Sequence, residues 1–360
     1  MANQPTPRRK TEADEFATPE FARELAMVTP ALEQAVGITR DDLASLLLLE
    51  AVRGFGPQKF KELHDSGLRP VDVLLEPGKL PTRGKRGDTF RHALTELDSK
   101  ARDLAQARAV RQLVRAYEHK ARIVTYADPH YPENVYASNN PVPVLYVRGD
   151  LGLLTRTRAV ACVGSRAIAP PYSDLHYAFA RRAAVDGFTI VSGFALGADT
   201  IGHRAAVDAD GATTLVMPCG LDRPFPPENK GFFQQLLEYP QAAAVSEFPF
   251  GTAASTLTLR KRNKLIVAFA RAVLLSQTSA TGGAMNAYRF AMGQKKPVAT
   301  FQPDGTERTS GNEQIKTGEK PGDTSSRQQQ LPAPSPARVF PATDAGPAGW
   351  DEWLQQSSWT

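Results

Sequence analysis

The sequence predicts an α/β fold built on a parallel sheet, and three observations carry that reading. From residue 159 onward, short apolar, β-rich runs recur: AVACVGS, TIVSG, TTLVMPCG, AAAVSEF, AVLLSQ and PVATF. Helix-like segments lie between them at 172–186, 199–209, 229–238, 262–270 and 283–293. Strands alternating with helices read as a parallel sheet covered on both faces, which takes ligands beyond the carboxyl ends of its strands. Finally, 360 residues of which 41% are hydrophobic supply a sizeable core, enough for one large domain and a smaller one.

Residues 1–37 are polar and charged and read as largely disordered. Residues 38–125 read as a helical domain, with DDLASLLLLEAV, FKELHDSG and RAVRQLVRAYEHKA punctuated by Gly54, Gly56, Pro57 and Pro70. Gly54-Phe55-Gly56 joins two helical stretches there. Either Gly54 ends one helix and Pro57 begins the next, or a G-x-G hairpin presents N–H groups to a DNA phosphate. The connector IVTYADPHYPENVY and then PVPVLYVRG lead into the sheet domain, which spans 126–302. Beyond Phe301 the composition shifts to Gly, Pro, Ser, Thr and Gln, so 303–345 reads as a low-complexity linker. Residues 346–360 form a tail holding Trp350, Trp353 and Trp359.

Several function classes lack their signatures. G-x-x-x-x-G-K-[ST], H-E-x-x-H and paired-cysteine metal motifs are absent, and no G-x-G-x-x-G follows the first strand of the alternating run. No cofactor and no metal are expected. Cys162 and Cys219 sit in strand-like runs and read as small buried hydrophobes. No apolar run is long enough to span a bilayer, and the opening MANQPTPRRKTEADEF lacks a signal peptide's apolar stretch. A cytoplasmic protein without a membrane partner is therefore expected. The net charge of +5 permits a nucleic-acid partner without requiring one.

The chemistry gathers at strand ends. They supply Gly164, Ser165 and Arg166; Ser192 and Gly193, leading to Gly197 and Asp199; Cys219 and Gly220; Ser246 and Glu247; and Thr281, Gly282 and Gly283. Glycines let a backbone approach a phosphate, exposed N–H groups at a helix start attract anions, and a guanidinium adds a fork of donors. LRKRNKLIVAFAR places Arg260, Lys261, Arg262 and Lys264 where an apolar helix begins. Cations there face the positive end of the helix dipole, a conflict that an anionic partner relieves. Ser192, Asp199 and His203 are not read as a catalytic triad, because no G-x-S-x-G elbow carries the serine. Asp199 is expected to cap the helix it opens, with His203 on the same helical face and hydrogen-bonded to it.

The succession GFG, DPHYPENV, PVPVLYVRG, VGSR, VSGFALGADTIGH, PCGLDRPFPPEN, VSEFPFG and KRNKLI resembles the DNA-processing protein A family, also called DprA or Smf. The resemblance runs from about residue 45 to 301. It implies an extended Rossmann-like sheet with a small N-terminal helical domain of the SAM or helix-hairpin-helix kind and disordered tails. It also implies single-stranded DNA binding at the sheet's rim, dimerisation, and loading of a RecA-type recombinase during DNA uptake or recombination. Motif matching carries over Gly164, Ser165, Arg166, Ser192, Gly193, Lys261, Arg262, Asn263 and Gly282 as DNA-binding candidates. Lys264 joins them within the basic cluster, and Asp199 and His203 support the site. The chain departs from the pattern with Leu259 before the basic cluster, where an aromatic is usual, Gln277 in place of an acid, and TGGAMNA at 281–287. A low-complexity tail also stands where many members have a winged helix.

A second reading keeps the fold and changes the ligand: a nucleotide sensor, or an enzyme like the phosphoribohydrolases that release a base from a nucleoside monophosphate, in a mobile-element or defence pathway. Glu247 is its candidate acid, while that group's PGGxGT turn is missing apart from Gly282-Gly283. Trp350, Trp353 and Leu354 share one helical face, suited either to a partner's groove or to folding back on the chain's own domain.

Overall fold

The computed structural model describes residues 18–319, 337–343 and 349–356. The chain divides between Ile123 and Val124 into two compact units.

The first unit is helical: α1 (Pro19–Met27), α2 (Pro30–Val36), α3 (Arg40–Ala51), α4 (Pro57–Asp65), α5 (Pro70–Leu75), α6 (Gly84–Thr95) and α7 (Ser99–Glu118). Local chemistry sets the starts. Thr18, Thr29 and Thr39 each accept a backbone N–H from the first turn that follows, and α1, α2, α4 and α5 carry proline at the opening. Helices α1 and α2 fall within the segment read as largely disordered. Threonine caps and the burial of Leu32 and Val36 order it from residue 18 onward. At the G-x-G turn α3 stops at Ala51, Gly54 adopts φ 83°, and Pro57 opens α4. Phe55 is buried beneath it, edge-on to Phe60 and Phe90 at ring separations of 5.1 and 5.7 Å.

The boundary falls within β1 (Ala121–Thr125). Then follow α8 (Glu133–Tyr136), β2 (Val144–Gly149), β3 (Ala159–Val163), α9 (Tyr172–Val185), β4 (Thr189–Ser192), α10 (Ala198–Val207), β5 (Thr213–Val216) and α11 (Lys230–Glu238). The unit continues with β6 (Ala242–Ser246), α12 (Thr256–Phe269), β7 (Ala272–Leu275), α13 (Ala284–Gly293), β8 (Val298–Phe301), α14 (Ser310–Thr317), β9 (Arg338–Phe340) and α15 (Trp350–Leu354). The strand order is β1-β2-β6-β5-β4-β3-β7-β8-β9. Neighbours from β6 through β9 are parallel, and β2 runs antiparallel to β6. The parallel strands therefore all end on one edge.

Alternation explains why these strands read as unbroken apolar runs. In β3, Val160 and Cys162 pack with α9 and α10, while Ala161 and Val163 pack with α12 and α13. Ala272 and Leu274 of β7 take the first side, Val273 and Leu275 the second. Both faces are dry, so both faces demand apolar side chains.

One expectation for the C-terminal region is corrected and one alternative is decided. The segment 303–345, read as a linker, contains α14 and β9. Asn312 of α14 is wholly buried and ties strand ends together: its amide donates to the carbonyl of Ser276 and the hydroxyl of Thr300, and its Oδ1 accepts the Thr278 N–H, at 2.8, 2.8 and 2.9 Å. Of the two readings of the tail face, the second holds: it folds back on the chain's own sheet unit. Trp350, Trp353 and Leu354 are buried in a cluster with Phe179 and Phe340, and Arg182 pairs with Asp351 at 2.8 Å. Burying two tryptophans on the chain's own apolar face outweighs leaving them in water. Trp359 lies outside the described residues.

Candidate nucleic-acid interface

The loop after β3 is held from both sides. The Ser165 N–H donates to the Gln277 carbonyl at 2.8 Å, and the Ala198 N–H donates to the Ser165 carbonyl at 3.1 Å. Gln277, standing where an acid was expected, accepts the Ala169 N–H at 3.0 Å through Oε1 and so pins the far side of the loop. Gly164 has no room for a side chain, since a Cβ would lie 2.9 Å from that of Ala198. Gly197, at φ 74°, packs directly on the Arg166 carbonyl. What this packing leaves in solvent is the Arg166 side chain.

Beneath the loop after β4 lies a polar layer. Ser192 is fully buried and donates to the Cys162 carbonyl at 2.6 Å. Gly193 presses on the guanidinium of Arg262, which occupies the space a Cβ would need. Arg262 is only 3% exposed and donates to the Val216 carbonyl at 2.9 Å. Burial pulls its pKa down to about 10, with the Arg166 charge adding to the fall and Asp199 opposing it. Asp199 is buried too. Burial raises its carboxyl pKa, while Arg262 and the Ala195 N–H, 3.2 Å away, act against that rise.

Two sequence readings change here. Gly197 is the N-cap of α10, and Asp199, inside the first turn, reaches back to the loop rather than capping the helix. His203 pairs through Nδ1 with the Thr213 hydroxyl at 2.7 Å, not with Asp199. Burial and the nearby Arg262 push the His203 pKa down to about 3, and burial takes that of His176, whose Nδ1 meets the Ser276 hydroxyl, down to about 4. Both imidazoles are neutral structural groups at physiological pH.

The basic cluster rides on α12, whose start is fixed by Ser255 and Thr258. Each backbone N–H of that pair is satisfied by the other's hydroxyl, at 2.8 and 3.2 Å. Helical spacing then sorts the cations. Arg262 and Lys264 turn inward, while Arg260 and Lys261 stay exposed. Glu247, the acid considered as a catalyst, is clamped between Lys261 and Lys264 at 3.2 and 3.0 Å, and its side chain is 4% exposed. Lys261 also lies over the Phe248 ring at 5.4 Å. Asn263 donates to the Gly283 carbonyl at 3.4 Å, which brings α12 to the turn after β7, and a Cβ on Gly282 would meet the Thr278 hydroxyl at 2.6 Å.

The expected residues thus separate into two layers. Gly164, Ser165, Arg166, Lys261, Asn263 and Gly282 reach or border the surface, whereas Ser192, Gly193, Arg262, Lys264, Asp199 and His203 brace it from within. Sequence reasoning missed Asn229, whose amide donates to the Phe194 carbonyl at 3.2 Å and the Thr200 hydroxyl at 2.8 Å and so fixes the β4 loop. Its signal was present in PCGLDRPFPPEN, which ends on it. Among the described residues, no group of three His, Cys, Asp or Glu is arranged to hold a metal, and no helix is long and apolar enough to cross a membrane.

Residues 122–325 match the family described as DNA recombination-mediator protein A. Protein Smf of Synechocystis is 31% identical over 180 residues, covering 48% of this chain and 45% of its own length. Protein Smf of Escherichia coli is 30% identical over 168 residues, covering 47% and 44%. The chain thus spans about half the length of these curated relatives. The crystal structure of DNA processing protein A from Streptococcus pneumoniae superposes with a TM-score of 0.61 at 20% identity, over 84% of this chain and 95% of that one. A structure of the Helicobacter pylori protein, reported for its single-stranded DNA binding mode, gives a TM-score of 0.50 at 27% identity, over 56% and 91%. With the family match covering more than half of its 360 residues, in the strand order and at the rim just described, the chain belongs to the DNA recombination-mediator protein A family, the family of DprA and Smf.

Proposed function

We propose that the carboxyl rim of the sheet binds the phosphate backbone of single-stranded DNA. The observation that carries this is the division of labour on α12 and the β3 loop: buried Arg262 and Asp199 stiffen the floor, and Arg166 and Lys261 project from it. Close packing at Gly164, Gly193 and Gly197, against Ala198, Arg262 and the Arg166 carbonyl, holds the loops of that rim in place. The Helicobacter pylori relative, reported for its single-stranded DNA binding mode, supports the same ligand class. The protein then acts in the cytoplasm as a DNA-processing factor, a homodimer that shields single strands and hands them to a RecA-type recombinase.

Fluorescence anisotropy with labelled single strands and duplexes tests the reading. Wild type should prefer single strands with little dependence on sequence. Arg166→Ala should lose about tenfold or more in affinity, the scale of one charge-assisted phosphate contact. Unchanged binding by that variant would overturn it. Recombinase filament growth on coated single strands, with and without the protein, then tests the loading step.

A further inference from the structure

The helical unit carries a charged face that the rim does not account for. Residues 53–62 and 82–91 together hold seven lysines and arginines against two carboxylates. Packing brings the two stretches together. A Cβ on Gly54 would lie 3.6 Å from the Phe90 ring, Phe55 stacks edge-on to that ring, and the Arg86 guanidinium is 6.0 Å from its centre. The Lys59 ammonium donates to the Thr82 hydroxyl at 2.8 Å, and Arg91 donates to the Thr82 carbonyl at 3.0 Å. Gly87 sits so tightly on Thr82 that no other residue fits there.

Both carboxylates are engaged. Glu62 meets Lys59 and Thr82, with its pKa lowered in part by Lys59 and Arg86, and Asp88 pairs with Arg91 at 2.7 Å. Arg53, Arg83, Lys85 and Arg86 all stand exposed. Three of these gather at the opening of α6, whose first turn has no acid. The chain thus places cations against the positive end of a helix dipole, an arrangement that an anion relieves. The aromatic rings in the two stretches, Phe55, Phe60 and Phe90, are all buried. The face therefore offers charge without a base-stacking platform or the apolar centre of a protein interface.

We propose that this face is a second DNA contact, made to the phosphate backbone of duplex DNA. A duplex has the higher linear charge density, and a surface lacking stacking groups gains nothing from unpaired bases. Specificity for sequence is not expected, because contacts to phosphates carry no sequence information. None of these residues belongs to the rim, so the chain engages single-stranded and duplex DNA through different residues.

Duplex binding by the full chain, measured in an Arg166→Ala background across a salt series, tests this independently of the rim. The parent should bind a short duplex of arbitrary sequence, with affinity falling linearly on logarithmic axes as salt rises. The combined variant R83Q/K85Q/R86Q should flatten that slope by about 2 to 3, at ~0.9 per lost phosphate contact. R83E/K85E/R86E should abolish duplex binding, while single-strand affinity with Arg166 restored stays within about twofold. All three positions are exposed, and thermal melting checks that each variant remains folded. Duplex binding with an unchanged slope in the folded glutamine variant would overturn the proposal, as would a parent that binds no duplex. Failure of Arg166→Ala to weaken single-strand binding would instead count against the rim.

Discussion

Arg262 makes the case at the scale of single residues. In KRNK, four polar residues follow one another, and sequence does not reveal which of them turns inward. The structure buries Arg262 against Gly193, so Gly193→Ala forces a methyl group into the guanidinium. Overpacking of this kind costs about 1–3 kcal/mol and should lower Tm by several degrees. Gly231→Ala, in the first turn of α11 with nothing within 4 Å, should leave Tm unchanged or raise it slightly. Differential scanning calorimetry of the pair checks the contrast. The buried histidines set an acid limit. Their folded pKa values, about 3 and about 4, lie below the unfolded value, so the unfolded chain binds more protons once pH drops through about 6.5. Stability should hold above that point and fall below it by about 1.4 kcal/mol per pH unit for each histidine, down toward the folded pKa values. Urea titrations at pH 7 and pH 5 test this; equal midpoints would contradict it.

Among the elements, legibility followed burial. Strands β3 through β8 are covered on both faces, so each appears in sequence as an apolar run, and all six were readable. The glycine and serine residues ending them were readable too, because only a turn requires them. Helix α14 was not. It buries just Gly311, Asn312 and Ile315, and its anchor is a polar side chain whose partners, at Ser276, Thr278 and Thr300, are distant in sequence. Strand β9 is three residues long and draws its order from pairing with β8. The tail helix α15 was recognised as an amphipathic face, but its occupant is decided by Phe179 and Phe340, which sequence spacing does not locate. Trp353→Ala should therefore cost stability, about 3–5 kcal/mol for emptying a buried tryptophan site, and leave single-strand affinity intact. A thermal melt alongside a binding isotherm separates the two effects.

At the scale of the whole molecule, a parallel sheet carries a stiff polar floor and a cationic rim. The floor residues are buried, and of the rim cations Arg166 stands exposed while Lys261 pairs with Glu247 at 3.2 Å. That separation makes the central claim testable by charge counting. The direct measurement is the salt dependence of single-strand affinity for wild type beside the double variant R166A/K261A. If both cations meet phosphates, the logarithmic slope should become shallower by about 1.4, at ~0.7 per contact on a single strand. A slope that is the same in both proteins would mean that neither side chain meets the backbone, and the rim would not be the DNA site.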